Sequence, residues 1–151
     1  MRLPDKAIEM IKTWRLGFVA TCDEGGRPNV SPKGTFIVVD DGTIAFGEMR
    51  SPQTVANLRK NPQTEINFID VLSRKGIRIR GHAVFVEQNT VEFSALMPDF
   101  RTLWGDLCDE INLIVKIPVA EVRPLTSPIY ETGCKEADLR KSWQAKIAAM
   151  D

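Results

Sequence analysis

One stretch, residues 27–62, constrains the fold more than any other part of the sequence, because strand, turn and helix signals follow one another in it without interruption. An apolar run at residues 36–38 is followed by Asp-Asp-Gly at residues 40–42, a combination typical of a tight turn. Residues 43–46 then resume a short strand. This order predicts a β-hairpin in the middle of the stretch.

A helix is predicted to begin directly after the hairpin. Ser51 offers an N-cap hydroxyl, and Pro52 suits the first helical position because the N–H that proline lacks would have no partner there. Asn61 is the last residue before Pro62, and a residue that precedes proline is pushed out of the helical region. The helix is therefore expected to run from near Ser51 to Asn61.

The two ends of the hairpin carry the side chains with the most chemistry. Residues 31–35 offer hydroxyls, the Lys33 ammonium and a glycine that lets backbone approach a ligand. Ser51, Gln53 and Thr54 surround free backbone N–H groups at a helix N-terminus, which suits a phosphate. Two interpretations are open: an anionic ligand lies between the two ends, or Ser51 is an ordinary cap and Lys33 a solvated surface charge.

The remaining pattern predicts one domain, residues 1–151, built as an antiparallel barrel with added helices. Short apolar segments separated by turn residues predict the strands, and 3.6-residue periodicity predicts the helices. The expected strands are 17–22, one from about 28, 64–70, 77–85 and 112–118; the expected helices are 4–14, two between 89 and 110 separated at Pro98, and 135–150.

The chain from about Val122 onward is predicted to form a C-terminal extension. Trp143 is the one large apolar anchor that the pattern gives its last helix. A helix with so little apolar area is expected to pack on the barrel or on a partner subunit.

The strand at residues 77–85 alternates, which places Arg78, Arg80 and His82 on one face. That face either meets water, or it brings Arg78 or Arg80 to a bound phosphate across a dimer interface. His82 is the sole histidine and is expected to be structural.

Composition excludes several classes of partner. The chain has 20 basic and 20 acidic residues, so it presents no electrostatic footprint for nucleic acid or an anionic membrane. No apolar run reaches the roughly 20 residues that cross a bilayer. The N-terminus lacks a secretory pattern, so a cytoplasmic protein is expected.

Cys22, Cys108 and Cys134 lie far apart, so no metal site is expected; Cys22 is predicted to be a core thiol.

The pattern S-P-x-T-x-x-N-L-x-x-N-P at residues 51–62, followed by the strand TEINF, resembles the pyridoxamine 5′-phosphate oxidase-like FMN-binding split-barrel superfamily, especially its small FMN-binding members. The resemblance extends over about residues 17–128 and includes I-R-G-H-A-V-F at 79–85 and the late strand at 112–118. It implies a mainly β (α+β) antiparallel split β-barrel with peripheral helices, a homodimer, and FMN at the subunit interface.

The same resemblance implies which positions contact FMN. The residues that would contact FMN from the hairpin are Ser31, Pro32, Lys33 and Gly34. Those along the isoalloxazine would be Gly47, Glu48 and Met49. Those at the phosphate end would be Ser51, Gln53, Thr54 and Asn57. Relatives often carry a basic residue where this chain has Gln53. A charge-assisted hydrogen bond is stronger than a neutral one, so Gln53 gives the phosphate a weaker contact than a basic residue would. Two outcomes are open: Lys33, Arg50 or an arginine of a partner supplies the missing charge, or FMN binds weakly.

The resemblance favours an oxidoreductase in which a flavin passes hydride or electrons between a reduced carrier and a small acceptor. The chain lacks a C-terminal arginine-rich substrate motif, so pyridoxamine phosphate oxidation itself is not expected. No residue stands out as a general acid or base. Two alternatives stay open: a non-catalytic flavin-binding or storage module, and a split barrel that binds a deazaflavin or haem.

Overall fold

A computed structural model describes residues 1–150. Within these residues the chain forms eight strands and four α-helices. In chain order they are α1 Asp5–Trp14, β1 Gly17–Cys22, β2 Pro28–Lys33, β3 Phe36–Asp40, β4 Thr43–Glu48, α2 Pro52–Lys60, β5 Gln63–Asp70, β6 Lys75–His82, β7 Val84–Glu87, α3 Val91–Trp104, β8 Leu113–Thr126 and α4 Glu136–Ala148. Two 3₁₀ segments, Gly105–Glu110 and Pro128–Thr132, flank β8.

All the strands belong to one antiparallel sheet in the order β2-β1-β5-β6-β8-β4-β3, with β7 paired to β8. The 14-residue strand β8 joins the two parts of this sheet. Its residues 113–118 pair with β4, and its residues 119–126 pair with β6. The hairpin of β3 and β4 is the one that the sequence predicts.

Alternation along the strands builds the core on the inner face of the sheet. In β5, Thr64, Ile66, Phe68 and Asp70 all point inward and are buried. Phe36 packs edge-on against Phe68, with ring centroids 4.8 Å apart. A second, smaller cluster lies under α3, where Phe100, Cys108 and Ile114 are buried.

Helix α3 corrects one sequence prediction. We expected Pro98 to end a helix, but α3 continues through Pro98 to Trp104. Proline leaves one helical carbonyl without a donor, and here that carbonyl belongs to the exposed Ser94, where water can bind it. Beyond the proline, Phe100 packs on Trp104 with ring centroids 5.9 Å apart. Burial of Phe100 therefore holds the second half of the helix in place.

Other segments differ from the pattern more modestly. The strand expected at residues 77–85 is interrupted at Ala83. Strand β6 pairs with β8 as far as Gly81, with a register shift at Arg80/Gly81, and β7 pairs with β8 again from Val84. Strand β8 continues eight residues beyond Pro118, to Thr126. Cys22, expected in the core, is half-buried at the end of β1, and the fully buried thiol is Cys108.

The C-terminal helix lies on the turn between β5 and β6. Leu139 is buried, and the Arg140 guanidinium donates a hydrogen bond to the buried carboxylate of Asp70. Glu136 accepts from Lys75 at 2.7 Å, and the Arg74 guanidinium lies 4.5 Å from the centre of the Trp143 ring. Packing of this extension on a partner subunit stays a prediction.

No helix within residues 1–150 combines the length and the apolar character that a bilayer crossing requires.

Candidate functional site

Two segments meet beside the hairpin: residues 31–35, which run from the end of β2 to the start of β3, and residues 47–51, which run from the end of β4 to the start of α2. The Thr35 hydroxyl donates to the Gly47 carbonyl at 2.7 Å, and the Gly47 N–H donates to the Thr35 carbonyl at 3.2 Å. These bonds hold the segments side by side. They border a cavity of about 360 Å³, hereafter the main cavity, lined by Ser31, Pro32, Lys33, Gly34, Thr35, Gly47, Met49, Arg50, Ser51, Trp104 and Leu107.

A buried ion pair crosses from one segment to the other. The Lys33 ammonium lies 3.1 Å from the Glu48 carboxylate, and the two side chains are only 8% and 6% exposed. The ammonium also donates to the Ser31 hydroxyl at 3.1 Å and to the Ser51 hydroxyl. Strand pairing explains the burial of Lys33, because it lies opposite Gly17 on the inner face of β2.

The same carboxylate occupies the start of α2. One Glu48 oxygen accepts the Ser51 N–H and the other accepts the Ser51 hydroxyl. Ser51 is the N-cap residue, yet its side chain makes no capping hydrogen bond to the helix. A negative charge at a helix N-terminus is favourable, and Glu48 supplies it from within the chain.

Met49 and Arg50 continue the wall of the main cavity. The Met49 carbonyl accepts from the Asn112 side chain at 3.2 Å, which fixes the backbone between β4 and α2. The Arg50 side chain is 87% exposed and lies 3.8 Å from Glu110. Both residues also border a second cavity of about 490 Å³, which includes Val55, Ala56 and Arg59 of α2.

Further along α2, the predicted phosphate residues are tied to strands β1 and β2. The Asn57 amide donates to the Thr21 hydroxyl at 3.0 Å, and the Asn29 amide donates to the Thr54 hydroxyl at 3.3 Å. Thr54 and Asn57 are buried, whereas Gln53 is exposed and its side-chain amide donates to the Asn57 side-chain Oδ1 at 2.7 Å. These bonds anchor the first turns of α2 on the sheet.

Gln53 and Asn57 border a polar cavity of about 240 Å³, separate from the main cavity. Its other lining residues are Asp23, Arg27, Pro28 and Asn29. The structure therefore separates the predicted site residues. Residues 31–34, Gly47 and 49–51 border the main cavity, and Gln53 and Asn57 border the polar cavity. Glu48 is among the residues that line the second cavity, and the buried Thr54 lines none of the three.

Sequence reasoning missed several residues that line these cavities, among them Arg27, Asn29, Trp104 and Leu107. Arg27 and Asn29 follow a turn and carry no motif. Only the pairing of β1 with β2 shows that Asn29 lies opposite Thr21, whose hydroxyl accepts a hydrogen bond from the Asn29 amide. Trp104 and Leu107 continue the apolar periodicity of the segment predicted as helix between residues 89 and 110, a pattern typical of core positions. Instead Leu107 is 50% exposed, and the Arg15 guanidinium lies 5.5 Å from the centre of the Trp104 ring.

The basic face of β6 does not reach these cavities. Arg80 pairs with Glu65 and Glu121, and Arg78 donates to Asn67 at 3.2 Å. The hydrogen bond from Arg80 is the largest influence on the pKa of the Glu65 carboxyl and lowers it. Burial opposes this shift, and the charges of Arg80, Arg78 and Arg123 lower the pKa further. These partners favour the interpretation in which this face meets water.

Among residues 1–150, no group of three or more histidine, cysteine, aspartate and glutamate side chains is placed to hold a metal ion.

An antiparallel sheet of this strand order, with a cavity between a hairpin end and a helix N-terminus, defines a split-barrel protein. A family model described as pyridoxamine 5′-phosphate oxidase matches residues 3–124, and the chain belongs to this family. The family predicted from the sequence and its split-barrel fold are thereby confirmed. No curated protein sequence matches the chain.

Three solved structures illustrate the likeness. HupZ from Group A Streptococcus is 26% identical, with a TM-score of 0.70 over 83% of this chain and 95% of that chain. HutZ, described as the haem storage protein from Vibrio cholerae, is 22% identical, with a TM-score of 0.67 over 83% of this chain and 95% of that chain. An FMN-binding protein from Syntrophomonas wolfei is 17% identical, with a TM-score of 0.68 over 82% of this chain and 86% of that chain. The last two likenesses concern the fold alone.

Proposed function

We propose that this chain is an FMN-binding flavoprotein. The observation that carries the proposal is the main cavity of about 360 Å³, which lies between the two segments that we expected from the sequence to contact FMN. Met49, Trp104 and Leu107 give the cavity apolar walls, and the backbone at Gly47 passes beside them. An apolar cleft with a few convergent polar groups is typical of a cofactor site.

The polar cavity supplies a place for the phosphate of the same ligand. Ser51 borders the main cavity and Gln53 borders the polar one, so both cavities open at the first turn of α2. The first-turn N–H groups have no partner within a helix, and they favour an anion. Arg27 adds a guanidinium that replaces the basic side chain missing at Gln53.

We also propose that the protein acts as a homodimer. Strand pairing places Phe18 opposite Pro32 and Ala20 opposite Val30 on the outer face of the sheet. Phe18 is 39% exposed and Val30 is 61% exposed, and apolar side chains grouped on one open face favour burial against a partner. The same strands carry Ser31 and Lys33 on their inner face, so this interface would lie beside the flavin.

FMN, when bound, supplies hydride and single-electron chemistry, and the chain contributes binding and orientation. The Gly47 N–H and carbonyl are both bonded to Thr35, which fixes the backbone that borders the ring position. Trp104 and Leu107 would give one side of the ring an apolar contact surface. We propose an oxidoreductase that exchanges electrons between a reduced carrier and a small acceptor, and we assign no general acid or base.

Haem is the less favoured ligand on the geometry. His82, the sole histidine, is exposed on the outer face of β6 and lies outside the three cavities described above. The likeness to HutZ concerns the fold, so it does not transfer haem binding to this chain.

The experiment is a titration of the purified protein with FMN and with riboflavin, followed by flavin fluorescence and by the visible spectrum. We expect saturable binding of one FMN per chain, and Arg27→Ala should weaken FMN about tenfold while riboflavin changes little. Arg2→Ala, another exposed arginine, is the charge-matched control. Reduction by a nicotinamide cofactor then separates an oxidoreductase from a storage module. A Soret band on addition of haem, with no flavin binding, contradicts the proposal.

A further inference from the structure

We propose that the Glu48 carboxylate is a built-in anion that decides which part of the ligand the main cavity accepts. Because Glu48 already neutralises Lys33 and the start of α2, the Lys33 end of the cavity takes the uncharged ring and hydroxyls of a flavin and rejects its phosphate. This inference rests on the proposed flavin binding, and one of its tests is independent of flavin.

The first step concerns the donors of Lys33. A lysine ammonium has three N–H donors. Three acceptors surround it here: the Glu48 carboxylate at 3.1 Å, the Ser31 hydroxyl at 3.1 Å and the Ser51 hydroxyl. An incoming phosphate finds no free donor on Lys33 unless one of these bonds breaks.

The second step concerns the helix terminus. The Ser51 N–H and hydroxyl both donate to Glu48, so the two donors that would meet a phosphate at this point are also taken. Glu48 is 5% exposed, and a buried charge that keeps its partner is favoured over one that loses it. The carboxylate is therefore a permanent component of the site.

The third step concerns charge. A phosphate beside Glu48 would place like charges together in a buried setting, where their repulsion is strong. Arg50 is the one other cation among the residues that line the main cavity, and its side chain is 87% exposed and close to Glu110. Nothing in this wall offsets a second buried negative charge.

Glu48→Gln removes the charge and keeps the shape. We expect FMN to bind the variant about tenfold more tightly, because Lys33 then has an uncompensated charge, while riboflavin affinity changes less than about twofold. Glu110→Gln removes a carboxylate from the same neighbourhood but leaves the Lys33 pair intact, so it should change neither affinity. Equal changes for both flavins, or weaker binding of FMN to Glu48→Gln, would overturn the proposal.

The flavin-independent test uses inorganic phosphate and thermal denaturation. Phosphate should raise the melting temperature of Glu48→Gln more than that of the wild type and Glu110→Gln, in which the polar cavity is the only proposed phosphate site, relative to chloride at equal ionic strength. An equal phosphate-dependent rise in the wild type and in Glu48→Gln would refute the role of Glu48. If neither flavin binds any variant while this pattern holds, the proposed function fails and the inference on Glu48 stands.

A second variant keeps the proposal testable even if Glu48→Gln fails to fold. In Lys33→Met/Glu48→Met both charges are replaced together, so no buried charge is left alone. We expect its preference for FMN over riboflavin to stay within about twofold of the wild type, since the pair contributes no net charge to phosphate binding. A loss of about tenfold in that preference would mean that Lys33 holds the phosphate, and would overturn the proposal.

Discussion

Asp70 and Arg140 are 70 positions apart, and their hydrogen bond ties helix α4 to the turn between β5 and β6. The Asp70 side chain is 3% exposed, and it also accepts from the Ser73 hydroxyl at 2.6 Å and the Leu72 N–H at 3.0 Å. Tyr130 adds a hydrogen bond from its hydroxyl to the Ser73 carbonyl at 2.6 Å. The C-terminal extension is thus joined to the barrel through one compact turn.

Arg140→Met should destabilise the protein by about 1–3 kcal/mol, because it leaves a buried carboxylate with one partner fewer. Urea denaturation measures the free energy of unfolding. Lys141→Met changes the neighbouring exposed residue and should stay within about 0.5 kcal/mol of the wild type. Equal values for the two variants would show that the Asp70 contact adds no stability.

The same cluster predicts a pH dependence. The hydrogen bond from Lys75, followed by that from Arg140, lowers the pKa of Glu136 below its ordinary value of 4.5. A carboxyl with a lower pKa in the folded chain contributes stability that is complete above its unfolded pKa and is lost as the pH falls through the folded pKa. Glu136→Gln should therefore lower the melting temperature near pH 7 and make no difference at strongly acidic pH.

Glu131→Gln is the control for that series, since Glu131 is exposed in the neighbouring 3₁₀ segment and has no ion-pair partner among the residues described. Melting temperatures recorded by circular dichroism from pH 3 to pH 7 test the prediction. The prediction would be contradicted if the difference in melting temperature between the wild type and Glu136→Gln grew toward low pH.

The Lys33–Glu48 pair predicts a marked non-additivity in stability. Lys33→Met alone leaves Glu48 buried without its cation and should cost about 3–5 kcal/mol, whereas Lys33→Met/Glu48→Met should cost far less or nothing. Chemical denaturation of both single variants and the double variant completes the cycle. Additive losses would mean that the two charges do not depend on each other.

Gly76 predicts a steric effect with a matched control. A Cβ at Gly76 would lie 2.3 Å from the Phe68 carbonyl oxygen, a backbone atom that cannot move aside without disturbing the pairing of β5 and β6. Gly76→Ala should cost about 1–3 kcal/mol or more. At Gly34 a Cβ meets nothing within 4 Å, so Gly34→Ala should be neutral or slightly stabilising. Similar melting temperatures for the two variants would argue against this strand approach.

The three thiols should react in a defined order. Burial raises the pKa of the Cys108 thiol and keeps it 1% exposed, whereas Cys22 and Cys134 are partly exposed. The thiolate is the reactive form, so a thiol reagent at pH 8 should modify Cys134 and Cys22 first and Cys108 only after unfolding. Peptide mass spectrometry at early times checks the order, and early labelling of Cys108 would contradict the packing under α3.

Much of the fold could be predicted because its signals are local. Gly17 to Cys22, the turn at Asp40 and the helix that begins after Ser51 all depend on neighbouring residues, and the structure has them where the pattern indicates. The prediction at Pro98 was wrong because burial of Phe100 outweighs the local tendency of proline to end a helix. That burial depends on residues distant in the sequence, so a short stretch around Pro98 does not indicate it.

The candidate site was less predictable for a related reason. The predicted hairpin indicated that residues 31–35 and 47–51 would lie near each other, but the burial of the Glu48 side chain depends on Lys33 and Ser51 together. Arg27 and Trp104 line cavities only because strands β1 and β2 and helix α3 bring them there. Such contacts between distant segments follow from tertiary packing and leave no spacing in the sequence.

Strand β8 gives the fold an order of assembly during synthesis. Thr43–Glu48 and Lys75–His82 leave the ribosome well before Leu113–Thr126, which pairs with both of them. Until that last strand emerges, each of the earlier two has an open edge able to pair with another chain. A nascent chain halted before Leu113 is thus a pair of incomplete sheets, and the barrel closes only once nearly the whole protein has been made.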